Sequence, residues 1–193
     1  MKKVLIIISA FALVLAGCAA SNDADSSASE NEAQEQTAAP AEEAVQQNYS
    51  TKTKEENLLD VTMYDIDGNE WNLAHLGQKA VLKVWASWCS ICLSGMDEYN
   101  IFASEYSDAK VLTVVSPGMY GEQSKDDFIE WFKSLDDYKD TVVIMDEDAL
   151  LVNSLGIRGF PTYVYIDSAG IVQSNAIGQQ QTADVIAALE SIG

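Results

Sequence analysis

The stretch KVWASWCSIC, residues 83–92, constrains this chain more than any other. A run of apolar, strand-forming residues, AVLKVWAS, ends on Cys89-Ser90-Ile91-Cys92. LSGMDEYNIFASEYSD follows, with Met96, Tyr99, Phe102, Ala103 and Tyr106 at helical spacing. Two thiols one helical turn apart at a strand-to-helix junction admit three readings. A structural staple closing so short a loop removes little chain entropy and stabilises poorly. A structural zinc site wants four thiolate or imidazole ligands, and beyond Cys18 the chain offers only Cys89, Cys92 and the lone His75. No metal ligands are therefore assigned. A redox pair needs only what is present. The helix N-terminus carries unpaired N–H groups and positive potential that favour a thiolate on Cys89, so the redox reading is preferred.

The third cysteine carries a different signal. Met1-Lys2-Lys3 is a short positive leader, VLIIISAFALVLA is an apolar run too short to span a bilayer by the usual count, and the run closes on LAGC, residues 15–18. This end resembles the lipobox of bacterial lipoproteins, in which the cysteine is acylated and becomes the new N-terminus. An ordinary secretory peptide or a retained anchor is the alternative. The lipobox reading assigns 1–17 to a signal peptide and Cys18 to lipidation. It places the mature protein, held by more than one acyl chain, on the outer face of the cytoplasmic membrane or the cell surface. Disulfides form and persist in that compartment. Residues 18–56 are rich in Ala, Ser, Glu, Gln and Asn, with Tyr49 the lone aromatic. Such a segment cannot bury enough apolar surface to offset ordering, so it reads as a disordered acidic tether. The net charge of -19 excludes nucleic acid as a plausible partner and removes any electrostatic attraction to an anionic bilayer.

Residues 57–193 read as one α/β domain. VTMYDIDGNEWNL gives two short strands around an Asp-Gly turn, AVLKVWAS a strand for the middle of a sheet, and KVLTVVS another buried strand. SKDDFIEWFKSL is a helix opened by Ser124, with acids in its first turn. TVVIMD is extended, and DALLVNSLG is a helix ending at Gly156. TYVYID and IVQSNAIG pair around Ser168-Ala169-Gly170, and TADVIAALESI is a helix capped by Thr182. Strands alternating with helices and then a terminal hairpin and helix predict a mixed sheet flanked by helices.

VLKVWASWCSIC followed by GIRGFPT resembles the thioredoxin superfamily. The leader, the YDIDGNEWNL hairpin and the anchor resemble its TlpA/ResA-type extracytoplasmic branch, and within it the surface thioredoxin-like lipoproteins of streptococci. That resemblance implies a thioredoxin-like fold with an N-terminal β-hairpin extension. It implies a thiol–disulfide oxidoreductase with no cofactor beyond the Cys89–Cys92 disulfide. Electrons would pass from a CcdA-type membrane protein to extracytoplasmic protein disulfides such as that of a methionine sulfoxide reductase, and a monomer is expected. By position, Cys89 matches the attacking thiol, Cys92 the resolving thiol, and Pro161 the cis-proline facing the disulfide, between Phe160 and Thr162. Trp85 and Trp88 match the tryptophans flanking the site, and Gly178 a glycine near the substrate groove. A cis X–Pro bond would expose the backbone of Phe160 to an extended substrate.

Two positions depart from the family. Lys83 stands where many thioredoxins carry a buried relay acid, and Gly95 where the TlpA-type branch often has glutamate. Lys83 is read either as snorkelling from the strand to water or as tuning a thiol pKa while paired with Asp146 or Glu147. His75 is expected in an exposed turn. The rival functions are the same chemistry run as an oxidase or isomerase, and a metal- or haem-maturation module that binds through its thiols.

Overall fold

The computed structural model describes Leu59–Gly193. The expected signal peptide (1–17), the expected lipidation site Cys18 and the expected tether (18–56) lie outside those residues. AVLKVWAS forms β3 (Ala80–Val84), every residue of which is buried. Its side chains alternate between two packed layers. Leu82 and Val84 join Leu112, Val114, Ile144 and Val164 on one side, while Val81 joins Tyr99, Phe102, Tyr163 and Val185 on the other. The alternation places Lys83 on the Val81 side, within the protein.

β3 pairs in parallel with β4 (Lys110–Val115), which pairs in parallel with β5 (Val142–Met145). On its other edge β3 runs antiparallel to β6 (Thr162–Ile166), and β6 to β7 (Val172–Ile177). The predicted N-terminal hairpin, β1 (Thr62–Asp65) and β2 (Glu70–Asn72), adds antiparallel to β5. The order is β2-β1-β5-β4-β3-β6-β7, a mixed sheet of the thioredoxin-like kind. Asp65 ties the first hairpin's turn, accepting from the backbone N–H groups of Asp67 and Asn69 at 2.9 Å. Asp167 does the same in the second, accepting from Ala169 and Ile171 at 2.9 Å. Gly170 there has a φ of 77°, and a Cβ at that position would strike the backbone of Ala74.

The helices are α1 (Ser90–Ser94), α2 (Met96–Glu105), α3 (Lys125–Lys133), α4 (Leu150–Ser154) and α5 (Thr182–Ser191). Ser124 caps α3 as expected, accepting from the Asp127 N–H. Three expectations need correction. The segment after the cysteines is broken into α1 and α2 at Gly95, where a Cβ would run into the Gln179 side chain. The helix expected from Asp148 begins at Leu150, because Asp148 and Ala149 take left-handed φ values of 60° and 53°. Thr182 is the first residue of α5 and not its cap; its hydroxyl donates to Glu98 on α2, and Gln181 holds the capping position.

Candidate redox site

β3 delivers the chain to Trp85, and the turn that follows sets Cys89 at the N-cap of α1. Cys89 and Cys92 form a disulfide with Cα atoms 5.2 Å apart. Cys89 Sγ accepts a hydrogen bond from the Cys92 N–H at 3.3 Å. Cys89 is 6% exposed and Cys92 is fully buried, so any partner reaches the first sulfur and not the second. The Phe160–Pro161 peptide is cis, and the Phe160 carbonyl oxygen lies 3.7 Å from Cys89 Sγ. Gly178 donates to the Pro161 carbonyl at 2.8 Å, and the Thr162 hydroxyl donates to the Gly159 carbonyl at 2.8 Å. These bonds fix the 159–162 segment beside the disulfide. The two sequence-distant motifs, WCSIC and FPT, therefore meet at one place.

The rim is apolar and aromatic. Trp88 is 56% exposed and meets Phe160 edge-on at 6.0 Å, and Tyr120 meets the same ring at 6.1 Å. Ile91 and Met119 are exposed close by in sequence to Cys92 and Tyr120. Trp85 differs from Trp88: it is buried against Phe128, Trp131 and Phe132 in the same cluster as both cysteines, and it floors the site. His75 is exposed, 3.3 Å from Asp60.

At Lys83 two expectations need correction, the route to water and the acid partner. The lysine does not snorkel; it is fully buried. Neither Asp146 nor Glu147 pairs with it. Asp146 accepts from Ser116 and from the Leu151 and Val152 N–H groups at the start of α4, and Glu147 pairs with Lys125. Lys83 Nζ donates instead to the carbonyls of Cys92 at 3.1 Å and Gly95 at 3.4 Å. Its acceptors lie at the break between α1 and α2, and a cation suits the exposed carbonyl end of a helix. Burial lowers its pKa from 10.5 to about 8, with nearby Glu98 opposing the shift.

Glu122 escaped the sequence reading. It is 8% exposed and holds the turn before the cysteines, accepting from both the Ser87 N–H and the Ser87 hydroxyl at 2.5 Å. It also accepts from the Gln123 N–H at 2.7 Å. Its loop, SPGMYGEQ, looks like any Gly-rich connection in sequence. Among the described residues no group of acids, histidine and cysteines is placed to hold a metal ion.

The Redoxin family model matches residues 34–190, most of the chain. An uncharacterized protein of Haemophilus influenzae is 38% identical over 114 residues, covering 58% of this chain and 72% of that protein. The sporulation thiol-disulfide oxidoreductase A of Bacillus subtilis is 24% identical over 119 residues, covering 60% and 69%. Among solved structures, the exposed lipoprotein thioredoxin of Streptococcus pneumoniae superposes with a TM-score of 0.65 at 38% identity, covering 69% of this chain and 99% of that one.

Proposed function

We propose a working direction for this chain, which belongs to the Redoxin family and is a thioredoxin-like thiol–disulfide oxidoreductase: it is a reductase of extracytoplasmic protein disulfides. The observation that carries the assignment of roles is the asymmetry of the pair, with Cys89 at an apolar rim and Cys92 sealed beneath it. In the dithiol form the Cys89 thiolate attacks a partner disulfide, and the partner's first sulfur leaves as a thiolate. Cys92 then attacks Cys89 Sγ, the mixed disulfide breaks, and the partner departs with both electrons. Trp88, Phe160, Pro161 and Thr162 form the groove, in which the backbone of Phe160 pairs with an extended segment of the partner.

The finer reading follows the N-terminus. Cys18 carries the lipid, 18–56 is the tether, and 57–193 is the working domain at the outer face of the membrane. The printed name of the pneumococcal relative, an exposed lipoprotein thioredoxin, supports this arrangement. A CcdA-type membrane protein refills the pair with electrons, and a methionine sulfoxide reductase is a fitting acceptor. Between Asn57 and Gly193 the chain has seven basic and twenty-one acidic residues, which favours partners with neutral or basic docking faces.

The test is the reduction potential of the pair, measured by equilibration with glutathione or dithiothreitol buffers. A value near thioredoxin's, about −270 mV, is the expected result; one near about −120 mV, as in the oxidant DsbA, would make the chain an oxidase.

A further inference from the structure

The exposed apolar surface continues past the rim of the disulfide. Phe160, whose carbonyl oxygen lies 3.7 Å from Cys89 Sγ, meets the Tyr120 ring at 6.1 Å. The Tyr120 hydroxyl donates to Asn153 Oδ1 at 2.6 Å, which carries the surface onto α4. Leu150 stands one turn before Asn153 on the exposed face of that helix and is 56% exposed. It also lines a cleft of about 210 Å³, together with Met63 and Tyr64 on β1 and Met145 at the end of β5.

The cleft opens because β1 and β5 stay paired over a short register only, Tyr64 with Met145 and Asp65 with Ile144. β5 ends at Met145, so Thr62 and Met63 run on without it while the chain turns away through Asp146 to Ala149. Met63 and Met145 are buried and make the floor, whereas Tyr64, 47% exposed, and Leu150 stand at the mouth. Two large apolar side chains exposed at one concave place differ from apolar residues scattered singly over a surface. Asp146 is turned inward, accepting from Ser116 and from the Leu151 and Val152 N–H groups. Glu147 and Asp148 are exposed at the edge of the cleft. Glu147 is paired with Lys125 at 2.6 Å, and Asp148 pairs with no cation among the described residues.

We propose that this cleft is a second docking site for the disulfide-bearing partner protein. It takes an apolar side chain followed by a lysine or arginine, carried on an extended segment about six residues from the partner's cysteine. The proposal rests on the reading of the chain as a reductase of protein disulfides with Cys89 as the attacking thiol. Continuity argues for this occupant. A partner whose disulfide has reached Cys89 lies against Phe160 and Tyr120, and the surface leads from Tyr120 through Asn153 and Leu150 into the cleft. Charge argues for the flanking residue. Asp148 stands without a cation on a domain with seven basic and twenty-one acidic residues, which repels an acidic segment and attracts a basic one. Disulfide exchange itself recognises little beyond sulfur, so a cleft set apart from Cys89 lets the reductase select among partners without altering the chemistry.

The test is the second-order rate at which the reduced full-length protein reduces a set of disulfide-bonded peptides of equal length, read by acid quench and chromatography. Each carries Leu-Lys, Leu-Gln or Ser-Ser about six residues from the disulfide, on its N-terminal or its C-terminal side. On one side, the native protein should reduce the Leu-Lys peptide about tenfold faster than the Ser-Ser peptide. The readout is the ratio of rates within each protein, so a general change in activity cancels. Leu150→Ser, at an exposed position that leaves the core intact, should bring that ratio to within about twofold of unity. Asp148→Asn keeps a side chain suited to the left-handed φ of 60° at that residue. It should cancel the advantage of Leu-Lys over Leu-Gln and keep that of Leu-Gln over Ser-Ser. Equal rates for all peptides with the native protein overturn the docking site, and so does a preference that survives Leu150→Ser. A cleft already filled by this chain's own N-terminal segment or by a second copy gives the first of those results. Failure of the native protein to reduce any of the peptides would instead overturn the reductase reading, so the two failures are separable.

Discussion

The buried lysine makes a prediction about stability that needs no enzymatic assay. Burial lowers the Lys83 pKa from 10.5 to about 8. Below the lower value the lysine is protonated whether the chain is folded or not, and the full cost of burying the ammonium is present. Between the two values the unfolded chain binds more protons than the folded one, so stability rises with pH. The whole span corresponds to about 3 kcal/mol, of which about 2 kcal/mol is recovered between about pH 7 and about pH 9.5. Staying below that upper limit avoids Tyr163 and Tyr165, whose burial-raised pKa values near 12 act with the opposite sign at higher pH. The perturbation is Lys83→Met in the oxidised protein, where neither cysteine titrates. Losing the two donors to the Cys92 and Gly95 carbonyls costs about 1–3 kcal/mol for each acceptor left bare, so the absolute stability of the variant is not the readout. The readout is the native-minus-variant difference, measured by denaturant unfolding across that pH range, in which the other titrating groups cancel. The native protein should gain about 2 kcal/mol on the variant as pH rises. A difference constant to within about 0.5 kcal/mol would show instead that Lys83 ionises as it does in water.

Removing the carboxylate of Glu122 with Glu122→Ala should lower stability by about 2 kcal/mol, because the Ser87 N–H and hydroxyl lose their shared acceptor; an unshifted thermal midpoint contradicts that role. Cys18→Ala should release the protein into the medium or leave it unprocessed, as followed by fractionation and intact mass, whereas a processed and fully membrane-retained product would refute lipidation at that residue.

What the sequence made legible was local. Asp67-Gly68 marked the first hairpin, Ser124 marked the start of α3, and the apolar run of AVLKVWAS marked a strand covered on both faces. That last feature already argued against a lysine reaching water, since a strand buried on both sides offers no route out. What remained hidden was non-local. The acceptors of Lys83 are carbonyls at the α1–α2 break, where Gln179, 84 positions further along the chain, lies against Gly95. Glu122 reaches Ser87 across 35 positions of chain, and nothing in periodicity or turn chemistry links them. Within the candidate site, spacing was enough for Cys89 and Cys92, whereas Tyr120 joined the rim only once the loop after β4 was placed against Phe160.

In the proposed cycle Cys89 attacks and Cys92 resolves, and trapping the mixed disulfide separates the two roles. Reduced Cys92→Ala and Cys89→Ala proteins are each mixed with a disulfide-bonded peptide and analysed by intact mass and peptide mapping. A covalent adduct on Cys89 is expected in the first variant, reversed by dithiothreitol, and none in the second, where the remaining thiol is sealed under the site. An adduct forming through Cys92 as readily as through Cys89 would contradict it.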